Sequence, residues 1–180
     1  MKTDASPLCD GKVRLRPIEL VDIEMVRAWR NQADVRSRFF HSEAISAEQQ
    51  RLWWEKYIAA DGDCHYIIEA LDPELGPRAV GCVALYHIDS ATGTAEYGRL
   101  MIGEPWARRS GFARLASKLL IDHAFNRLSL HTVYLEVLAD NEPAIRLYES
   151  LGFRRAGKAS HAGSLRLAVT APQRARQWTS

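Results

Sequence analysis

Cysteine is scarce in this sequence, and long apolar runs are missing. The chain has three cysteines, Cys9, Cys64 and Cys82, which lack both CxxC spacing and an even count. This indicates reduced thiols and argues against a disulfide framework or a zinc site. No segment approaches the ~18 apolar residues of a membrane span, and the polar start MKTDASPLCDGK lacks the apolar centre of a signal peptide. We therefore expect a cytoplasmic protein without membrane contact and without a bound metal.

An excess of one charge is also missing. Lysine and arginine total 24, aspartate and glutamate total 22, and the formal net charge is +2. Such a balance gives no indication of a nucleic-acid partner. Hydrophobic residues make up 47% and charged residues 26% of the 180 positions, which excludes disordered and collagen-like classes and favours one globular domain. We predict a flexible leader at 1–12, a folded core at 13–155 and a divergent C-terminal segment at 156–180.

Hydrophobic periodicity predicts an α+β fold around one sheet. A strand at Val13–Arg16 precedes a helix over Glu19–Arg30, and a second helix begins near Ser46. Short turns between the next three strands imply an antiparallel meander. The later predicted elements are strands at Cys64–Ala70, Arg78–Ile88 and Thr94–Ile102, a helix from Gly111 to about Leu128, a strand at Thr132–Leu138, a helix over Glu142–Ser150 and a final strand at Ser164–Thr170.

A basic turn leads into the longest predicted helix. The residues of this turn are Arg108, Arg109, Ser110, Gly111, Phe112 and Ala113. The first turn of a helix has unpaired N–H groups and a dipole that favours an anion, and small residues let a phosphate approach the backbone. The arginines add mobile positive charge, so the turn fits a pyrophosphate. A basic, solvated loop is the alternative, because neither common nucleotide-binding glycine motif is present.

The later helix carries a tyrosine on its inner face. Asn141 stands at the expected N-cap, and Tyr148 shares that inner face with Ala144. A phenol with an ordinary pKa near 10 can protonate a leaving thiolate. The alternative is that Tyr148 only packs, with its hydroxyl at the surface.

Three segments together resemble the GCN5-related N-acetyltransferases, a family abbreviated GNAT. The R-x-x-G-x-A motif at 108–113 resembles that family's acetyl-CoA pyrophosphate loop, and NEPAIRLYESLGF resembles its N-x-x-A-x-x-x-Y-x-x-x-G-F segment. The opening VRLRPIELVDIEMVRAWRN is similar to the ribosomal-protein and nucleotide-sugar branches of the family. The resemblance covers roughly residues 13–155, and the two motifs occur in the family's order. It implies a single mixed, mostly antiparallel sheet with helices on both faces.

The resemblance implies that acetyl-CoA is the acetyl donor and assigns residues to it. Leu100, Met101 and Ile102 would pair their backbone with the pantetheine arm where their strand diverges from Thr132–Leu138. The N–H of Met101 would polarise the thioester carbonyl. The turn at 108–113 would hold the pyrophosphate, Asn141 would hold the pantetheine or a water molecule, and Tyr148 would protonate the departing sulfur.

The resemblance also implies direct attack by a neutral amine, which requires a base. Glu96 is our first candidate, because an enclosed carboxylate can accept a proton near neutral pH. His87 is the second candidate, since imidazole titrates in the useful range. The alternatives are that Glu96 is only an exposed strand carboxylate and that His87 is only a surface histidine. Cys82 is expected to pack in the core, because no neighbouring pattern supports a nucleophile.

The acceptor site is expected between the first two helices and the later strands. Trp29, Arg30, Asn31 and Arg36 could hold a charged, ring-shaped substrate. The W-R-N-x-x-x-V-R pattern resembles acetyltransferases that act on amino-sugar nucleotides, so the resemblance implies such an acceptor. Protein N-termini and aminoglycosides are the alternative acceptors, and a non-catalytic acyl-CoA-binding module is the alternative of another class, which Tyr148 disfavours. The alternative is that Trp29 is a core residue and that the arginines are solvated. Family members often form homodimers, so a homodimer is an implied assembly.

Overall fold

An eight-stranded sheet forms the centre of the computed structural model, which describes residues 7–172. Numbered along the chain, its strands are β1 (Leu8–Cys9), β2 (Val13–Pro17), β3 (Cys64–Asp72), β4 (Gly76–Asp89), β5 (Thr94–Ile102), β6 (Thr132–Leu138), β7 (Arg154–Arg155) and β8 (Ser164–Thr170). Their spatial order is β1-β2-β3-β4-β5-β6-β8-β7. The order follows the chain as far as β6. Short turns join β1 to β2, β3 to β4 and β4 to β5, whereas helices lie between β2 and β3 and between β5 and β6.

Helices cover both faces of the sheet and divide the core in two. Their bounds are α1 (Ile23–Asn31), α2 (Ala33–Arg36), α3 (Ala47–Ala59), α4 (Phe112–Asn126) and α5 (Glu142–Ser150), with 3-10 turns at Leu20–Asp22 and Pro105–Ala107. One core cluster packs α4 and α5 against the sheet. A smaller cluster packs α1, α2 and α3 against the opposite face of the sheet. The predicted α+β class, with one mixed sheet between helices, is confirmed.

One pair of neighbouring strands is parallel. β5 and β6 pair over Thr94–Thr132, Ala95–Val133 and Glu96–Tyr134, whereas all other neighbouring strands are antiparallel. The long α4 makes the crossover that parallel strands require. Since β5 continues to Ile102 without further pairing to β6, the sheet opens into a cleft between these two strands.

The first helical segment differs from its prediction over Glu19–Arg30. Leu20 to Asp22 form a 3-10 turn, α1 begins only at Ile23, and Leu20 is 57% exposed. The buried Asp22 carboxylate accepts the N–H of Glu19 at 2.8 Å and two guanidinium bonds from Arg16 at 2.7 Å, which holds this turn tight. Hydrophobic spacing cannot show such a contact. It also missed α2, which is too short to display a period.

Both ends of the described chain add to the sheet. Leu8–Cys9 pair with β2, so this part of the predicted leader is a strand, whereas residues 1–6 lie outside the described residues. At the other end, β8 has the predicted bounds and pairs with β6 from Thr132–Thr170 to Leu138–Ser164. β7 pairs with β8 at the edge. Residues 173–180 of the predicted C-terminal segment lie outside the described residues.

Candidate active site

The cleft between β5 and β6 is bordered by a β-bulge. Cys82–Met101 and Ala84–Gly98 are successive pairs, so β5 places one more residue between them than β4 does. Arg99 lies in this bulge with a φ of +53°, and its carbonyl accepts the Cys82 thiol at 3.4 Å. Burial raises the pKa of Cys82 to about 12, so it stays a thiol. The backbone of Leu100–Ile102 therefore runs along an open strand edge, the geometry that a paired pantetheine arm requires.

The N-terminus of α4 provides an open backbone surface near this edge. Gly111 occupies the N-cap with a φ of +84°, and nothing lies within 4 Å of the position a Cβ would take. Phe112 and Ala113 begin the helix, where N–H groups have no intrahelical partner. Arg109 and Ser110 precede it and are exposed. This arrangement suits an anionic group such as a pyrophosphate.

Arg108 has a different role from the mobile charge expected of it. Its guanidinium binds the Asp34 carboxylate and the Gln32 side chain, and its Nε lies 3.3 Å from the Ile102 carbonyl oxygen. These contacts fix the turn against α2. The side chain is consequently committed to holding the loop in place, and the exposed Arg109 is the arginine left to meet a ligand.

Tyr148 lies on the inner face of α5 and is 8% exposed. Its ring centroid is 5.8 Å from those of both Tyr97 and Phe153. Burial raises the pKa of Tyr148 above its ordinary value, so the phenol is protonated at neutral pH and can act as a proton donor. Asn141 occupies the N-cap position of α5, but its side chain makes no capping bond and is available to a ligand.

Glu96 and His87, the two candidate bases, contact each other. Glu96 accepts the Tyr86 hydroxyl at 2.9 Å, and its other oxygen lies 3.1 Å from the His87 Nδ1. The Glu96 side chain is 19% exposed and that of His87 is 70% exposed. Burial and the nearby Glu96 carboxylate raise the pKa of Tyr86, which therefore remains a hydrogen-bond donor. Tyr86 and His87 therefore hold the orientation of this mostly enclosed carboxylate.

A cavity of about 550 Å³ lies on the sheet face covered by α1 and α3. Its floor comes from β3, β4 and β5, and its walls come from α1, α3 and the loop between α2 and α3. Met101 lines this cavity and also lies on the open edge of β5. The lining also includes Arg30, Phe39, Glu43, Trp53, His65 and Arg99.

The predicted acceptor residues separate into lining and supporting positions. Arg30 lines the cavity, but Trp29 is 3% exposed and donates its Nε1–H to Glu104 at 2.9 Å. Asn31 exchanges two 2.8 Å hydrogen bonds with the backbone of Ile45 and so holds the loop. Arg36 does not line the cavity. Trp29 and Asn31 therefore build the wall, because their polar atoms are already bonded within the protein.

His65 and Arg99 line the cavity and were not predicted. His65 is 4% exposed, and neither of its ring nitrogens has a hydrogen-bond partner among the described residues. Burial, with a smaller effect of Arg99, lowers the pKa of His65 to about 3, so the ring is neutral. The alternation of β3 indicates a buried strand but gives no sign of a cavity beside it. Only the bulge, invisible in the sequence, directs Arg99 towards the cavity.

The C-terminal segment packs against the loop between α2 and α3, which covers the cavity. Phe40 of that loop stacks on His161 with centroids 4.1 Å apart and an interplanar angle of 3°. His161 Nδ1 lies 3.0 Å from the Glu136 carboxylate on β6, which also accepts the Ser160 N–H and hydroxyl. Residues 156–163 therefore connect the acceptor loop with the far side of the cleft.

Within residues 7–172, no helix combines the length and the apolar character needed to cross a membrane. The same range contains no cluster of three or more histidine, cysteine, aspartate or glutamate side chains suited to a metal ion.

Known proteins resemble this chain over most of its length. The spermidine N(1)-acetyltransferase of Escherichia coli strain K12 is 31% identical over 149 residues, covering 83% of this chain and 76% of that protein. The enzyme of the same name from Vibrio cholerae is 27% identical over 148 residues, covering 82% of each chain. The mouse alpha/beta-tubulin-N-acetyltransferase 9 is 27% identical over 184 residues, covering 97% of this chain and 76% of that protein.

Solved structures share the fold. The Vibrio cholerae spermidine N-acetyltransferase, in complex with CoA and spermine, superposes with a TM-score of 0.77 and 24% identity, covering 89% of this chain and 96% of that one. A domain from Methanocaldococcus jannaschii gives a TM-score of 0.79 at 24% identity, covering 90% of this chain and all of that one.

A family model described as an acetyltransferase (GNAT) domain matches residues 12–154, which include the cleft, the α4 N-terminus and Tyr148. The resemblance seen in the sequence is thereby confirmed, while the branch within the family stays a prediction. The chain belongs to the GNAT acetyltransferases and is an N-acetyltransferase that uses acetyl-CoA as its acetyl donor.

Proposed function

We propose that this protein transfers an acetyl group directly from acetyl-CoA to the primary amine of a small molecule held in the 550 Å³ cavity. The observation that carries this proposal is the position of Met101. It lies on the β5 edge beside the cleft and lines the cavity on the α1 and α3 face. A donor in the cleft and an acceptor in the cavity therefore meet at one residue.

The donor would be held by the backbone of two elements. The open edge of Leu100–Ile102 would pair with the pantetheine arm, and the N–H groups from Arg109 to Ala113 would bind the pyrophosphate. Asn141 would add a side-chain hydrogen bond. When bound, acetyl-CoA supplies the acetyl group as a reactive thioester.

Each step of the transfer has a residue assigned to it. The Met101 N–H would stabilise the negative charge that develops on the carbonyl oxygen as the amine nitrogen bonds to the carbonyl carbon. Glu96 would take the proton that the amine loses, directly or through one water molecule. Tyr148 would protonate the sulfur as the carbon–sulfur bond breaks, and solvent would return its proton. These roles require no acyl-enzyme.

Spermidine is the acceptor that the Escherichia coli and Vibrio cholerae relatives are named for, which makes it a candidate here. The amino-sugar nucleotide favoured by the sequence gains no support from these relatives. The charges of the cavity favour a second candidate, an amine that also carries an anionic group.

A thiol-release assay tests the proposal. The wild-type protein is mixed with acetyl-CoA and a panel of amines that includes spermidine, and free CoA is followed with a thiol reagent. We expect amine-dependent release, with the acetylated amine identified by mass spectrometry. Acetyl-CoA binding without release for any amine in the panel would contradict the proposal.

A further inference from the structure

We propose that the acceptor carries a carboxylate or phosphate group, which the guanidinium groups of Arg30 and Arg99 bind in the cavity. This inference rests on the proposed function, since it names the class of amine that enters the acceptor site. It is argued from the placement of these two side chains and from the fact that, within residues 7–172, neither forms an ion pair with a carboxylate, although Glu96 lies nearby on the Tyr86 hydroxyl.

Arg30 has an unused donor in the cavity wall. Its Nη2 binds the carbonyl oxygen of His41, and its guanidinium carbon lies 4.0 Å from the centroid of the Phe39 ring. Its Nη1 is buried and has no hydrogen-bond partner among the described residues. A buried guanidinium N–H without a partner is costly, and an anionic ligand would satisfy it. The stacking on Phe39 keeps this donor in place before a ligand arrives.

Arg99 supplies the second positive charge from the floor. Its guanidinium carbon lies 4.9 Å from the Tyr86 ring centroid and 5.7 Å from that of Trp53. Within residues 7–172 no carboxylate forms an ion pair with Arg99. Aromatic faces hold a guanidinium in place and leave its N–H edge available for bidentate contact with an anion.

The remaining lining groups do not neutralise these arginines. Glu43 is the only carboxylate among the described residues of the lining, and it is exposed. His65 is neutral, because burial lowers its pKa to about 3, and it adds no charge to the cavity. Two arginines without a carboxylate partner among the described residues favour an anionic group over a polyamine, whose amines are protonated at neutral pH. We therefore expect this chain to differ in acceptor from the relatives named for spermidine.

Binding measurements with paired amines test this inference without relying on catalysis. Isothermal titration in the presence of saturating CoA would compare glucosamine 6-phosphate with glucosamine, and 4-aminobutyrate with putrescine. The first pair tests a phosphate and the second tests a carboxylate. The variants are Arg99→Met, which removes the charge, and Arg99→Lys, which keeps it. Arg127→Met is the control, because it removes the same charge from the exposed end of α4 on the opposite face.

We expect at least one anionic probe to bind the wild-type protein about tenfold to a hundredfold more tightly than its partner. Arg99→Met should abolish this preference, whereas Arg99→Lys and Arg127→Met should largely retain it. Equal or tighter binding of putrescine and glucosamine would overturn the inference, as would a preference that persists in Arg99→Met. If the anionic probes bind selectively but no amine is acetylated, the inference survives and the proposed function fails.

Discussion

Glu96 and Tyr134 form the last pair of the parallel ladder between β5 and β6. Beyond them β5 continues for six residues, Tyr97 to Ile102, along an edge that β6 no longer covers. A candidate base therefore lies at the point where the sheet opens. The bulge at Arg99 and the cavity residue Met101 follow on the same strand. One strand therefore carries the residues that we propose for proton acceptance, carbonyl polarisation and acceptor binding.

Replacing Tyr148 with phenylalanine should lower kcat about 10²-fold or more, because we propose that the buried phenol protonates the leaving sulfur. The ring and its contacts with Tyr97 and Phe153 are retained, so acetyl-CoA affinity measured by titration should change little. Tyr66→Phe is a matched control, since it removes a buried phenol from β3, a strand that does not border the cleft. Unchanged kcat in Tyr148→Phe would remove Tyr148 from the mechanism.

Replacing Glu96 with glutamine should lower kcat about 10²-fold, because an amide cannot take the proton of the amine. The amide oxygen can still accept the Tyr86 hydroxyl, so the local fold should persist. His87→Ala should change kcat by less than about threefold, since the imidazole is 70% exposed and only borders the carboxylate. Steady-state kinetics of both variants decide between the two bases. A larger loss in His87→Ala would exchange their roles.

Gly111 offers a charge test of the pyrophosphate site. Aspartate and asparagine tolerate a positive φ better than other residues, and nothing lies within 4 Å of a Cβ at this position. Gly111→Asp should weaken acetyl-CoA binding about tenfold or more, because a carboxylate would face the anionic ligand. Gly111→Asn has nearly the same shape without the charge and should bind almost normally in the same titration. Equal weakening in both variants would place the pyrophosphate elsewhere.

The Glu136 cluster predicts an acid-sensitive contribution to stability. Burial alone raises the pKa of Glu136, but the bonds from His161 and Ser160 outweigh it and lower the pKa to about 2. A carboxylate whose folded pKa is depressed stabilises the fold above its unfolded pKa, and this contribution is lost as the pH falls.

Between pH 4.5 and pH 2, the free energy of unfolding of the wild type should fall by about 2 kcal/mol more than that of Glu136→Gln. Urea unfolding followed by circular dichroism measures this difference. Glu149→Gln, an exposed carboxylate on α5, is the control and should behave as the wild type. Parallel pH profiles for the wild type and Glu136→Gln would contradict the assigned pKa.

Local sequence patterns predicted much of the fold. The bounds of β5, β6, α5 and β8 agree with their predictions, because each has a clear period and adjoining turn residues. The predicted start of the second helix is also confirmed, since the Ser46 side chain and Gln49 form a reciprocal capping box. Local patterns do not indicate contacts between distant segments. Neither the Leu20–Asp22 turn nor α2 was predicted from the sequence.

The sequence predicted the cofactor part of the candidate site better than the acceptor cavity, for a physical reason. The α4 N-terminus and Tyr148 belong to contiguous motifs, so local spacing indicates them. The acceptor cavity joins α1, α3 and three strands, and its lining depends on which side chains are already bonded elsewhere. The Asn31 side chain is hydrogen-bonded to the backbone of Ile45. Trp29 packs so closely on Gly103 that a Cβ added to this glycine would lie 1.9 Å from the Trp29 ring. Only the folded structure distinguishes such residues from Arg30 and Arg99.

Thiol release from acetyl-CoA, measured with and without an amine acceptor in wild type and Tyr148→Phe, tests the central claim most directly. The account predicts amine-dependent release and an acetylated amine with the wild type, and a loss of about 10²-fold or more in the variant. Equal rates for the two proteins, or release that does not depend on the amine, would contradict direct acetyl transfer at this cleft.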